Sequence, residues 1–161
     1  MAWSTRSRFA LAAAFASLMS LPGCLGARED APHAASVSDV EHAVFRLMAA
    51  DNDSDLATVL DCYTRDALLL APDGTTFQGS DAIGGHYLDV FSKLVMKIRA
   101  TPAETVVAGR FAWQRGEVTG TITMNDGGAT QAVRDRYLMV LAFEDGRWRV
   151  ARLMWQPVEK S

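Results

Sequence analysis

Cysteine is scarce in this chain, with two residues, Cys24 and Cys62, among 161. So few thiols exclude a disulfide-stapled scaffold. Histidine is nearly as rare at three, and none stands at ligand spacing from cysteines or carboxylates, so no metal site is expected. There is no basic excess: 16 Lys+Arg face 19 Asp+Glu, a formal charge of −3. Nucleic acid is thereby a poor partner, because such binding is driven by Lys/Arg neutralisation of phosphates. No glycine-rich phosphate loop and no Ser/His/Asp signature is visible, and no cofactor is expected. No internal repeat or low-complexity block occurs. What is present is a 49% hydrophobic, 22% charged chain, enough apolar material for one buried core.

The amino terminus carries the addressing signals. Arg6 and Arg8 precede an apolar stretch from Phe9 to Leu21, followed by Leu-Pro-Gly-Cys ending at Cys24. This is the layout of an export signal, and the stretch falls short of the ~20 residues a membrane-spanning helix needs. Ser7 between the arginines argues against the twin-arginine route. The segment before Cys24 resembles the lipobox of bacterial lipoproteins, with Cys24 as the lipidated first residue of the mature chain. Pro22 departs from that pattern, and a plain secretory signal cut nearby is the alternative. The expected organisation is an export signal over 1–23, a lipidated cysteine and flexible tether over 24–37, a folded domain over 38–156 and a tail over 157–161. The expected location is the cell envelope, lipid-anchored and facing the periplasm or the cell exterior. Removing 1–23 leaves 14 Lys+Arg against 19 Asp+Glu, a formal −5. Cys62 then has no intramolecular partner and reads as a small buried filler.

Within the domain, helices come first. Ser38-x-x-Glu41 fits a capping box, and Val40, Val44, Leu47 and Met48 recur near helical spacing, predicting a helix over 38–50. Asp51 to Asp55 is a cluster of turn and N-cap residues. After it, Leu56, Val59, Leu60 and Tyr63 mark a second, short helix. Ala67 to Ala71 reads as a strand closed by Pro72-Asp73-Gly74, with 75–78 as its hairpin partner. Gly79-Ser80 opens a third helix with Ile83, Tyr87, Val90, Phe91 and Leu94 inward, in which Gly84-Gly85 suggest close packing or a ligand against bare backbone. Four strands follow, over 95–107, 111–124, 130–144 and 147–156, separated by short turns. The fold class is α+β: a cone-shaped, curved antiparallel sheet covered by three N-terminal helices, with a cavity between them.

This order resembles the nuclear transport factor 2-like superfamily, in particular its SnoaL-like branch. The resemblance spans about 38–156. It rests on Ser54-Asp55-Leu56, Tyr63-Thr64-Arg65-Asp66-Ala67, Phe77-Gln78-Gly79-Ser80-Asp81-Ala82-Ile83, Trp113-Gln114-Arg115-Gly116, and Asp145-Gly146-Arg147-Trp148-Arg149-Val150 followed by Trp155-Gln156. The superfamily includes steroid isomerases and polyketide cyclases, in which an acid or base inside the cone moves a proton beside a carbonyl. The positions matching their chemical residues are Leu47, Ala71 and Leu153 here, and an aliphatic side chain can neither abstract a proton nor stabilise an oxyanion. The resemblance also implies a possible homodimer through the outer face of the sheet.

The expectation is therefore a non-catalytic domain that binds a small hydrophobic molecule or a protein partner. Tyr63, His86, Tyr87, Trp113, Tyr137 and Trp155 are the residues expected to line its cavity. The alternative is a proton-transfer enzyme of isomerase or cyclase type using His86 with Glu117 or Tyr63. Glu117 shares a strand face with Trp113 and Arg115, which an exposed sheet face explains equally well. Arg134-Asp135-Arg136 reads as a solvated charge run at a strand start.

Overall fold

A computed structural model describes residues 36–158. The expected export signal, Cys24, most of the expected tether and the last three residues lie outside the described residues. The first helix, α1, runs Val37–Asp53 and starts one residue before its expected beginning. Its capping box uses Ser36 and Asp39: the Asp39 N–H donates to Ser36 Oγ at 3.2 Å, and the Ser36 N–H donates to the Asp39 carboxylate at 2.9 Å. The helix also runs past its expected end at residue 50, closing at Ser54 in the left-handed region (φ 53°). That extension carries its buried stripe from Val40, Val44, Leu47 and Met48 on to Asp51.

Helix α2 (Leu56–Cys62) is capped by Asp55, whose carboxylate accepts from the Thr58 N–H at 3.1 Å. Strand β1 (Tyr63–Leu70) follows directly and turns back through 71–75 into β2 (Thr76–Gln78). Helix α3 spans Gly79–Lys93. Leu94, expected on its inner stripe, instead opens β3 (Leu94–Ala108). Then come β4 (Phe111–Met124), β5 (Thr130–Glu144) and β6 (Arg147–Pro157). Strands β3 to β6 lie within about a residue of their expected bounds, whereas β1 begins four residues before the expected Ala67 and takes Tyr63 from the expected second helix.

The six strands form one sheet in the order β2-β1-β6-β5-β4-β3. The α+β class and the helix-covered curved sheet are as expected. One seam differs from the all-antiparallel expectation: β6 returns beside β1 and pairs with it in parallel, making the sheet mixed. The three hairpins of β3–β6 end with a strand that runs the same way as β1, a direction set by β2 and α3, which lie between β1 and β3.

Two glycines let the sheet bend. A Cβ at Gly116 would strike the Thr101 carbonyl oxygen and approach Pro102 Cα to 2.9 Å. One at Gly120 (φ 154°) would strike the Lys97 carbonyl oxygen and approach Ile98 Cα to 2.7 Å. Together with the β3 bulge between Pro102 and Glu104, these bare positions allow β4 to press against β3 where the sheet curves. The helices cover the curved face. Leu47 from α1, Val59 from α2 and Ile83 from α3 are fully buried against Ala67, Leu69, Leu141 and Val150. Each such aliphatic side chain contributes about 1.5–3 kcal/mol by leaving water.

Two polar contacts tie the helices to the sheet. Asn52 clamps the end of α1 to β3, donating to the Ile98 carbonyl at 2.8 Å and accepting from the Ile98 N–H at 2.7 Å. Asp61 accepts from Arg46 at 2.7 Å and Arg147 at 2.6 Å, joining α1, α2 and β6. The Arg46 hydrogen bond is the main reason its carboxyl titrates below the usual range. Asp61→Ala is expected to cost about 1 kcal/mol in urea unfolding at low salt, because the pairs are partly solvated, with the loss shrinking in 1 M salt. Cys62 is buried as expected, and burial pushes its thiol up. Its reaction with a disulfide reagent should be negligible in buffer and complete in denaturant.

Candidate functional site

Between the helices and the curved face of the sheet lies a cavity of about 270 Å³. Most of its wall is apolar: Met48 from α1, Leu69 from β1, Ile98 from β3, Val118 from β4, Met139 from β5 and Leu153 from β6. The polar groups reaching it are few. They are Asp51 from α1, His86 and Tyr87 from α3, and Asp135 and Tyr137 from β5, with Trp155 closing one side. Among the described residues, no lysine or arginine lines it.

Asp51 is the unusual member. It is 5% exposed, and its Oδ1 has no hydrogen-bond partner within the protein. Burial pushes its carboxyl up to about 7, so near neutral pH it is divided between acid and carboxylate. The Asn52 clamp next to it holds this end of α1 in place. Asp135, half-buried on the opposite wall, is also pushed up by burial.

The aromatic groups form a connected wall. The His86 ring lies 4.3 Å from Phe77, 5.5 Å from Tyr87 and 6.4 Å from Trp155 between centroids. Burial lowers its pKa, which keeps the imidazole neutral at pH 7. The hydroxyls of Tyr63 and Tyr87 are 2.9 Å apart. Both phenols are held protonated, chiefly by burial and further by the nearby Asp51 charge. Tyr137 donates to Gln114 Oε1 at 2.8 Å, and burial pushes it up to about 12. Gln114 in turn donates to Thr105 at 3.0 Å.

Of the residues expected to line the cavity, His86, Tyr87, Tyr137 and Trp155 do so, while Tyr63 meets it through its bond to Tyr87. Trp113 and Glu117 do not. Even-numbered residues of β4 such as Ala112, Gln114 and Val118 face the helices, so the odd-numbered ones point to the outer face. There Trp113 sits in a shallow apolar depression with Phe111 and Leu138. Glu117 pairs with Arg134 at 3.0 Å, a contact that lowers its pKa. His86 and Glu117 therefore stand on opposite sides of the sheet, which overturns their pairing as acid and base.

The charge run on β5 divides by the same alternation. Arg134 and Arg136 are exposed, whereas Asp135 between them turns into the cavity. Leu47 is buried core and its neighbours Met48 and Asp51 reach the cavity instead, while Leu153 is an aliphatic part of the wall. Ala71 belongs to the turn after β1, its N–H donating to the Thr75 carbonyl at 2.8 Å. Of the helical glycines only Gly84 faces a neighbour: a Cβ there would make ordinary contact with Leu60 of α2 at 3.6 Å, while one on Gly85 would meet nothing within 4 Å.

Asp51 and Asp135 are the residues that sequence reasoning missed as cavity groups. One more step of the stripe Val40, Val44, Leu47, Met48 lands on Asp51, but the turn-forming residues after it masked the continuation. Strand parity from Met139 and Tyr137 leads to Asp135 in the same way.

A curved sheet covered by three helices around an apolar hollow with a few polar groups is a cone-shaped α+β domain with an internal cavity. The chain belongs to the SnoaL-like domain family, whose pattern matches residues 44–151. Among solved structures it is similar to a ketosteroid isomerase-like protein from Erwinia carotovora atroseptica: 25% identity, TM-score 0.71, covering 77% of this chain and 97% of that one. It is also similar to a nuclear transport factor 2-like superfamily protein from Salmonella enterica, at 17% identity and TM-score 0.68 over 78% and 92% of the two chains. A conserved protein from Planctomyces limnophilus, 19% identical with TM-score 0.69 over 75% and 96%, shares the fold. No curated protein matches the chain significantly.

Proposed function

We propose that this domain binds a small hydrophobic molecule inside the cone, with the ligand's apolar body against the sheet and one polar group against Asp51. The observation that carries this reading is an apolar cavity of about 270 Å³ lined by the Asp51 carboxyl group, whose Oδ1 no protein group satisfies. Buried polar groups are almost always paired, so an incompletely paired carboxyl group in a cavity wall marks a place where something else supplies the partner. Native mass spectrometry of the full chain purified from its own envelope is expected to show a retained small molecule. Ile122→Trp, which fills the cavity from β4, should remove that mass. A chain that retains no molecule, or a retained mass unaffected by Ile122→Trp, rejects the cavity as the binding site.

The unpaired Oδ1 also favours a second reading, proton transfer on a carbonyl ligand. Asp51, divided between its two protonation states near pH 7, would exchange the proton, with Tyr87 and His86 as the neighbouring polar groups. If that holds, a carbonyl ligand recovered from the cavity takes up deuterium from D2O beside its carbonyl with the wild type and not with Asp51→Asn. The envelope assignment rests on the Phe9–Leu21 stretch and Cys24. Cys24→Ser is expected to move the protein from the membrane to the soluble fraction, and continued membrane retention would count against a lipid anchor.

A further inference from the structure

We infer that the ligand is a hydrophobic amine, its ammonium group paired with Asp51 and its hydrocarbon body held among the aromatic and aliphatic walls. The inference deepens the binding reading above and rests on it. The cavity has two carboxylates, Asp51 and Asp135, and among its described lining residues no lysine or arginine to balance either. A carboxylate taken out of water is costly unless it is paired. Asp51 is 5% exposed, and its Oδ1 accepts nothing from the protein. The missing cation has therefore to arrive with the ligand. An anionic ligand would meet two like charges in an apolar enclosure, and a neutral one would leave Asp51 uncompensated once ionised. The aromatic wall suits the same choice, because Tyr87, Tyr137 and Trp155 line the cavity and aromatic rings attract an ammonium group as well as giving apolar contact.

The pairing needs Asp51 ionised. The other titratable groups around it are Cys62 from α2, Tyr63 from β1, His86 and Tyr87 from α3, and Asp135 and Tyr137 from β5, while the exposed Lys97 of β3 directs its ammonium to the Asn52 carbonyl at 3.4 Å and does not line the cavity. Burial pushes the thiol and the three phenols up and the imidazole down. Asp51, whose carboxyl burial pushes up to about 7, gains its charge as pH rises through neutrality, so amine binding strengthens between pH 5.5 and 8.

The test is isothermal titration of the full chain at pH 8 with three probes of one shape: 2-phenylethylamine, 2-phenylethanol and phenylacetate. The amine should bind at least about 30-fold tighter than the alcohol, phenylacetate weaker than either, and the amine's advantage should fall at pH 5.5. Asp51→Asn, the isostere of the protonated acid, should bring the amine to within about threefold of the alcohol. Asp135→Asn should cost the amine only about threefold, because that carboxylate is half-solvated. An alcohol that binds as tightly as the amine, or an amine advantage that survives Asp51→Asn, overturns the amine assignment while cavity binding stands. If none of the three probes binds, the amine assignment falls. The retained mass and its response to Ile122→Trp then decide separately whether cavity binding falls with it.

Discussion

Asp51→Leu is expected to stabilise the protein at pH 8 by about 4 kcal/mol and to leave it little changed at pH 4. The folded protein holds the Asp51 proton up to about pH 7, whereas an unfolded chain releases it near 3.9. Below pH 4 the residue is neutral in both states, and burying a neutral acid costs little. As pH rises from 4 to 7 the unfolded chain gives up this proton and the folded one keeps it, so the stability of the wild type falls. Above about 7 the full cost is present and constant. With about 1.4 kcal/mol for each unit between the two pKa values, the loss is about 4 kcal/mol. Leucine has nearly the shape of aspartate and no charge, so its advantage should open over the same interval. At pH 8 it would raise the melting temperature by more than about 10 °C. Urea unfolding at pH 4, 6 and 8 measures this directly, and an advantage that does not depend on pH would refute the buried-carboxylate account. The same variant should lose the preference for the amine probe. A group that lowers stability yet is needed for binding is what a ligand site, as opposed to a packing residue, looks like.

Gly120→Val should be at least as damaging in the opposite direction. Any side chain there strikes the backbone of Lys97 and Ile98 on the neighbouring strand, and the strand's φ of 154° is one that residues other than glycine rarely adopt. Neither partner is the flexible end of a side chain, so the clash is relieved only by parting β3 from β4 where the sheet curves. The expected cost exceeds about 4 kcal/mol, enough to leave much of the protein unfolded at 37 °C. Gly85→Ala is the matched control: its Cβ meets nothing within 4 Å, and alanine in place of a helical glycine should stabilise by about 0.5–1 kcal/mol. Circular dichroism and urea midpoints of the two variants separate the explanations. A tolerated Gly120→Val would show that the curvature does not depend on a bare strand at this point.

The last four strands were legible almost to the residue because their limits are written in local turn chemistry. The β5–β6 turn at Asp145-Gly146, both with positive φ, lies where the sequence predicts it. The capping box was legible as a type and displaced in position, since Ser36-x-x-Asp39 and Ser38-x-x-Glu41 satisfy nearly the same local rule and the residues packed beneath the helix decide between them. The side chains were harder. Period two correctly puts Trp113, Arg115 and Glu117 on one face of β4, but it carries no mark of which face the helices cover. The cavity therefore drew Asp135 and not Glu117.

What the sequence by itself determined is what neighbours along the chain control: an α+β order of elements, the limits of the last four strands and the alternation of faces. Only the tertiary structure decided that β6 lies parallel to β1, that the even-numbered face of β4 is the inner one, and that Asp51 ends an inward helix stripe without a partner. The reason is distance along the chain. Whether a buried carboxylate is paired depends on residues that the fold brings to it from tens of positions away, such as Tyr87 and Asp135, and no local pattern records their arrival or the missing cation.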